Sequence, residues 1–141
     1  MPKIYRVMKK DGERPMIGSS ATTLGVRVPA DIRPDASGDV HPGTGGMSVS
    51  PSLRSLRSLP ARLIPTRLRQ IIPGAAGSNS LFVWSMGERP FASGAVTDQL
   101  DLRPDPNNSN HGFVEPGSVM ELEVYEKALA ATQGTWRIDE G

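Results

Sequence analysis

Arg6, Ser48 with Ser50, and Glu115 follow one another along the chain and supply a guanidinium, a pair of hydroxyls and a carboxylate. Cleavage of the nicotinamide–ribose bond of NAD uses this set of types. An arginine meets a pyrophosphate with a planar, permanently charged fork. Hydroxyls on a strand position the nicotinamide end. A carboxylate binds a ribose hydroxyl and stabilises the oxocarbenium-like charge that develops as nicotinamide leaves. On this reading Ser48 and Glu115 are catalytic, while Arg6, Ser48 and Ser50 hold the dinucleotide. The plain alternative makes Arg6 a solvated residue of an edge strand and Glu115 a strand end.

Other chemistries fail on spacing. The stretch HPGTGGMSVSP, His41 to Pro51, has the glycines and hydroxyls of a phosphate loop but no lysine, so it is not a Walker motif. Nor does it give GxGxxG between a strand and a helix. His41 and His111 are the only histidines, with no HExxH or paired carboxylates to make a metal site, so no metal is expected. There is no GxSxG elbow for a Ser-His-Asp hydrolase.

Composition narrows the partners. With 16 basic and 15 acidic side chains the net charge is +1, so no global field points to nucleic acid or membrane. The chain has no cysteine, which excludes disulfides and Cys-based metal sites and fits a reducing cytoplasm. No apolar run approaches a membrane span, and the start, MPKIYRVMKK, lacks the apolar middle of a signal peptide. From Val40 to Gly87 no acidic residue occurs, while Arg54, Arg57, Arg62, Arg67 and Arg69 all fall inside. Leucines interleave those arginines and no aromatic does, which argues for a partner's docking patch or solvated surface over a nucleic-acid reader.

These residues need elements to position them. Lys3 to Met8 is β-prone, with Ile4, Arg6 and Met8 on one face and Tyr5 and Val7 on the other. Residues 9 to 46 read as a long functional loop with one short strand around Gly25 to Val28. Met47 to Ser50 alternates as a strand. In SPSLRSLRSLPARL, Ser50 caps and Pro51 opens a helix that Pro60 and Pro65 cut short. Leu81 to Trp84 is an apolar run suited to a central strand, with shorter strands over Arg89 to Val96, Gln99 to Arg103 and Gly112 to Glu115. Ser118 to Glu121 forms a capping box for a helix to about Thr132, with Leu122, Tyr125 and Leu129 on its buried stripe.

Three stretches, Tyr5-Arg6-Val7, PGTGGMSV and HGFVEPGSVM, resemble the small toxic type VI secretion effectors whose fold is similar to ADP-ribosyltransferase toxins. The resemblance implies one α+β domain over residues 1 to 141: a split, mixed β-sheet core around an NAD cleft, with few short helices and long ordered loops. It implies that Arg6, Thr44, Ser48 and His111 line the cleft. It also implies an intracellular toxin with a cognate immunity partner. Glu115 stands alone, with Phe113 where a Glu-x-Glu or Gln-x-Glu pair would begin, which leaves NAD hydrolysis or a non-protein target open. The expected function is thus a cytoplasmic NAD-cleaving toxin. The alternative is a non-catalytic protein of the same fold that binds a partner.

Overall fold

The computed structural model describes every residue, Met1 to Gly141. In chain order the elements are β1 (Ile4–Asp11), β2 (Arg14–Pro15), β3 (Asp39–Val40), β4 (Met47–Val49), β5 (Leu81–Met86), β6 (Gly94–Ala95), β7 (Leu100–Pro104), β8 (Gly112–Pro116), β9 (Met120–Glu121), α1 (Leu122–Ala130) and β10 (Arg137–Ile138). Three 3₁₀ turns, Arg54–Ser58, Ala61–Leu63 and Thr66–Leu68, fill the connection from β4 to β5.

The strands form two four-stranded sheets, ordered β10-β5-β1-β2 and β4-β8-β7-β6, with β3 and β9 as a separate pair. Every pairing between these strands is antiparallel. Parallel pairing is confined to isolated bridges such as Pro2 with Arg89. The mixed sheet that the resemblance implied is therefore replaced by antiparallel sheets. Short connections such as β1–β2 and β7–β8 allow nothing else, because a parallel return needs a long crossover.

Period-two alternation sorts the side chains of β1 and β5 into two cores. Ile4, Met8, Trp84 and Met86 enter the larger core, shared with the second sheet and with Tyr125 and Leu129 of α1. Val7, Leu81 and Val83 face a smaller core closed by Leu56, Ile64, Leu68 and Ile72. Burial on both faces explains why the run from Leu81 to Trp84 carries no charge. β5 is central, between β1 and β10.

The helix expected after Ser50 is not formed as such. The tandem SLR-SLR spaces Leu53, Leu56 and Leu59 by three, the repeat of a 3₁₀ helix, where residues i and i+3 eclipse. Ser55 and Leu56 are its buried residues, and the Ser52 and Ser55 hydroxyls are 2.8 Å apart. Pro60 and Pro65 then each begin a new turn.

Two further expectations are corrected. No strand forms over Gly25 to Val28; a side chain at Gly25 would collide with the Gly18 carbonyl, and the Arg27 amide closes a turn on the Asp31 carboxylate at 2.7 Å. The helix starts at Leu122 after Glu121, and Ser118 makes no cap, because Met120 and Glu121 pair with Val40 and Asp39 instead. Residues 9 to 46 bury Leu24, Val26, Ile32 and Val40 in the larger core, so this long segment is built into the fold.

Candidate functional site

The two sheets meet where the backbones of Tyr5 and Ser50 bond reciprocally, Tyr5 N to Ser50 O at 2.8 Å and Ser50 N to Tyr5 O at 2.9 Å. A cavity of about 200 Å³ opens at this junction. Tyr5, Arg6, Ser48, Ser50 and His111 line it, with Arg27 and Asp31 from the long loop and Arg62 from the 3₁₀ lobe.

Arg6 is 6% exposed and points to the larger-core side of β1. Its Nε and one terminal nitrogen donate to Thr23 O at 3.1 and 2.8 Å, and the other terminal nitrogen donates to Ser48 O at 2.7 Å. The carbonyls of Ser20 and Gly25 stand at 3.3 and 3.4 Å. Burial pulls its pKa down to about 10, against the raising influence of the Asp31 charge. The guanidinium is thus still charged at neutral pH, but its donors are spent on backbone carbonyls. Neither a solvated edge residue nor an open phosphate fork describes it; Arg6 ties residues 20–25 to β4.

Ser48 is the register partner of Phe113, and its side chain shares that face of the second sheet. The hydroxyls of Ser48 and Ser50 make no hydrogen bond within the chain, although Ser50 is buried. They are among the cavity's uncommitted polar groups, with the Thr22 hydroxyl and the Arg62 guanidinium. His111 enters from the start of β8, its Nδ1 3.0 Å from an Asp105 oxygen and its ring edge-on to Phe113 at 4.6 Å. The bond to His111, followed by one from the Asn107 amide, holds the Asp105 carboxyl below its usual range.

Glu115 and Thr44 stand apart from this group. One Glu115 oxygen accepts from the Gly43 amide at 2.8 Å and from Arg103 Nε at 2.9 Å. Arg103 in turn lies over the Phe113 ring at 4.5 Å. Thr44 is exposed and bonds the His41 carbonyl at 2.7 Å. The glycines of this turn serve close packing: a side chain on Gly45, whose φ is +123°, would strike the Asp31 carbonyl. Glu115 therefore anchors the Gly43–Gly46 turn that delivers β4.

Tyr125 secures the same strand from below. Its hydroxyl accepts from the Met47 amide and donates to the Val114 carbonyl, the backbone groups of two register partners. Burial pushes its pKa well above the usual phenol range.

Asp31, Arg27 and Asp105 were not among the residues that the sequence singled out, and Arg62 stood there only as one of a basic segment. Asp31 is bound bidentately by Arg27, at 2.9 and 3.2 Å, with its side chain 6% exposed. One signal was available for Asp105: RPDPNNSNH (103–111) repeats the frame of RPDASGDVH (33–41). In both, the histidine bonds the aspartate.

No family model, curated protein or solved structure matches the chain. No helix is long and apolar enough to cross a membrane.

Proposed function

We propose that the cavity takes the nicotinamide–ribose end of NAD and that the protein cleaves the bond within it. The observation that carries this reading is the convergence of Arg6, Ser48, Ser50 and His111 on one cavity, although they come from three separate stretches of the chain. Its volume, about 200 Å³, lies below the ~300–1,000 Å³ of sites that enclose a whole drug-sized ligand. That size suits one end of a dinucleotide, with the remainder on the rim. The free hydroxyls of Ser48 and Ser50 can pair with the nicotinamide amide and the ribose. Arg62 is exposed and forms no ion pair, so it is the cation available to the pyrophosphate in place of Arg6. Asp31, rather than Glu115, is the carboxylate lining the cavity, where Arg27 holds it in an ion pair.

Such an activity, released in a cytoplasm, would deplete NAD or mark a target molecule. This is the basis for proposing a toxin of the type VI effector kind, restrained in its producer by a cognate immunity protein. The test is incubation of the protein with NAD while nicotinamide release is followed, with and without cell extract. Release supports the reading; its absence in both conditions removes it.

A second reading is a non-catalytic binding protein. One observation favours it: Arg6 and Glu115, two of the groups the chemistry called for, are engaged inside the chain, while Arg54, Arg57, Arg62 and Arg69 form no ion pair. Saturable NAD or partner binding without nicotinamide release would select it.

A further inference from the structure

The two copies of the R-P-D-x5-H frame share an aspartate-capped turn and an aspartate–histidine contact, and differ in where they stand. Each aspartate caps its own turn, Asp35 accepting from the Ser37 amide at 2.8 Å and Asp105 from the Asn107 amide at 2.9 Å. Each histidine then closes on the second carboxylate oxygen. His41 does so through Nε2 at 2.7 Å, and both partners are about two-fifths exposed, with side-chain values of 42% and 40%. His111 does so through Nδ1 at 3.0 Å, and the pair is 19% and 18% exposed. Only His111 lines the cavity.

The choice of nitrogen has a chemical consequence. An ionised carboxylate only accepts, so Nδ1 of His111 carries a proton, and in the neutral ring the lone pair is then at Nε2. Phe113 packs edge-on against the imidazole and limits its rotation. Asp105 and, across Phe113, Arg103 flank the ring, while Arg6, Arg27, Arg62 and Asp31 line the same cavity. An imidazole oriented in this way by a carboxylate, in a cavity with uncommitted hydroxyls, is an arrangement for taking a proton at Nε2.

We infer that His111 Nε2 is the general base of the cavity and that Asp105 is the residue positioning it, an assignment that rests on the NAD reading above. The substrate class is an N-ribosyl pyridinium, and the co-reactant is water. The water oxygen forms a bond to the ribose C1′ as the C1′–N bond breaks. The bonding pair passes to the ring nitrogen, which neutralises the pyridinium and releases nicotinamide. His111 Nε2 takes the proton from the attacking water and passes it to solvent. The Asp35–His41 copy has the same aspartate-capped turn but does not line this cavity, so it serves as an internal control.

The experiment measures kcat and KM for nicotinamide release from NAD by wild type, His111→Ala, Asp105→Asn, His41→Ala and Asp35→Asn. The expected result is a loss of about 100-fold or more in kcat for His111→Ala, the usual worth of a general base. Added imidazole should restore part of it. Asp105→Asn should lose about tenfold or more in kcat with KM little changed, as befits a lost tautomer. His41→Ala and Asp35→Asn should keep wild-type kcat. If His111→Ala turns over like wild type, or if both copies lose activity alike, the base assignment is wrong while NAD cleavage stands. If wild type releases no nicotinamide, the NAD reading itself fails and takes the assignment with it.

Discussion

The guanidinium of Arg6 donates to the carbonyl oxygen of Ser48 at 2.7 Å, joining the first strand to the strand that carries the cavity's free hydroxyls. A residue whose type suggests ligand binding is here a strut that holds the ligand-facing residues in place. Its work is done on Ser48, Thr23 and the loop around them.

Arg6→Lys should therefore act first on stability. An ammonium is a compact point donor and cannot serve carbonyls spread over Thr23, Ser48 and Ser20 at once. The expected loss is about 2–4 kcal/mol, since buried carbonyls are left without partners. Urea unfolding followed by circular dichroism reads it. Unchanged stability with lost NAD affinity would return Arg6 to the role of ligand contact.

Tyr125→Phe removes the hydroxyl between Met47 N and Val114 O while keeping the ring. The Met47 amide loses its hydroxyl acceptor, at a cost of about 1–3 kcal/mol. A urea midpoint equal to wild type would show that the strands close on one another without it.

Glu115→Gln separates two roles. As a catalytic carboxylate, Glu115 would lose turnover on this change. As the anchor of Gly43 and Arg103, it should lose about 1 kcal/mol of stability and keep kcat. Nicotinamide release and thermal melting on the same samples decide between them.

Arg62→Ala touches an exposed side chain without an ion pair, so folding should be unaffected. If Arg62 meets the pyrophosphate, NAD binding should weaken about five- to tenfold, the scale of one charge-assisted bond on a surface. Calorimetric titration measures it, and equal affinity would remove Arg62 from the site.

Acid should loosen both histidine-closed turns. Asp35 and Asp105 are each held below the usual 3.8, chiefly by His41 and His111. A folded-state value below the unfolded one means that these carboxylates add stability above about pH 4 and lose it as pH falls through their folded values. The double variant Asp35→Asn, Asp105→Asn should show a flatter fall in urea midpoint between about pH 5 and pH 2. An acid limb as steep as wild type would assign the pH dependence elsewhere.

How much of this was legible in the sequence varied with the physics. β1, β4, β5 and β8 announced themselves because period-two alternation or a fully apolar run is what a buried strand requires. The leucines at 53, 56 and 59 signalled an apolar face, but their spacing by three belongs to 3₁₀ turns and not to an α-helix. Arg6, Ser48 and Ser50, read from their order along the strands, line one cavity together with His111, which only the resemblance had named for the cleft. Glu115 and Thr44 do not, because which loop a carboxylate or hydroxyl anchors depends on a turn packed from 72 residues away in the chain. Asp31 was invisible for the same reason: its place at the cavity follows from how close Gly45 lets the loop approach.

The most direct test of the account is a titration of NAD into isotopically labelled protein, followed by amide shifts in nuclear magnetic resonance. The account predicts saturable shifts concentrated at Tyr5, Ser48, Ser50, Asp31 and His111, with Thr44 and the Asp35–His41 turn unmoved. Shifts confined to the arginine lobe around Arg54 and Arg57, or none at all, would contradict it.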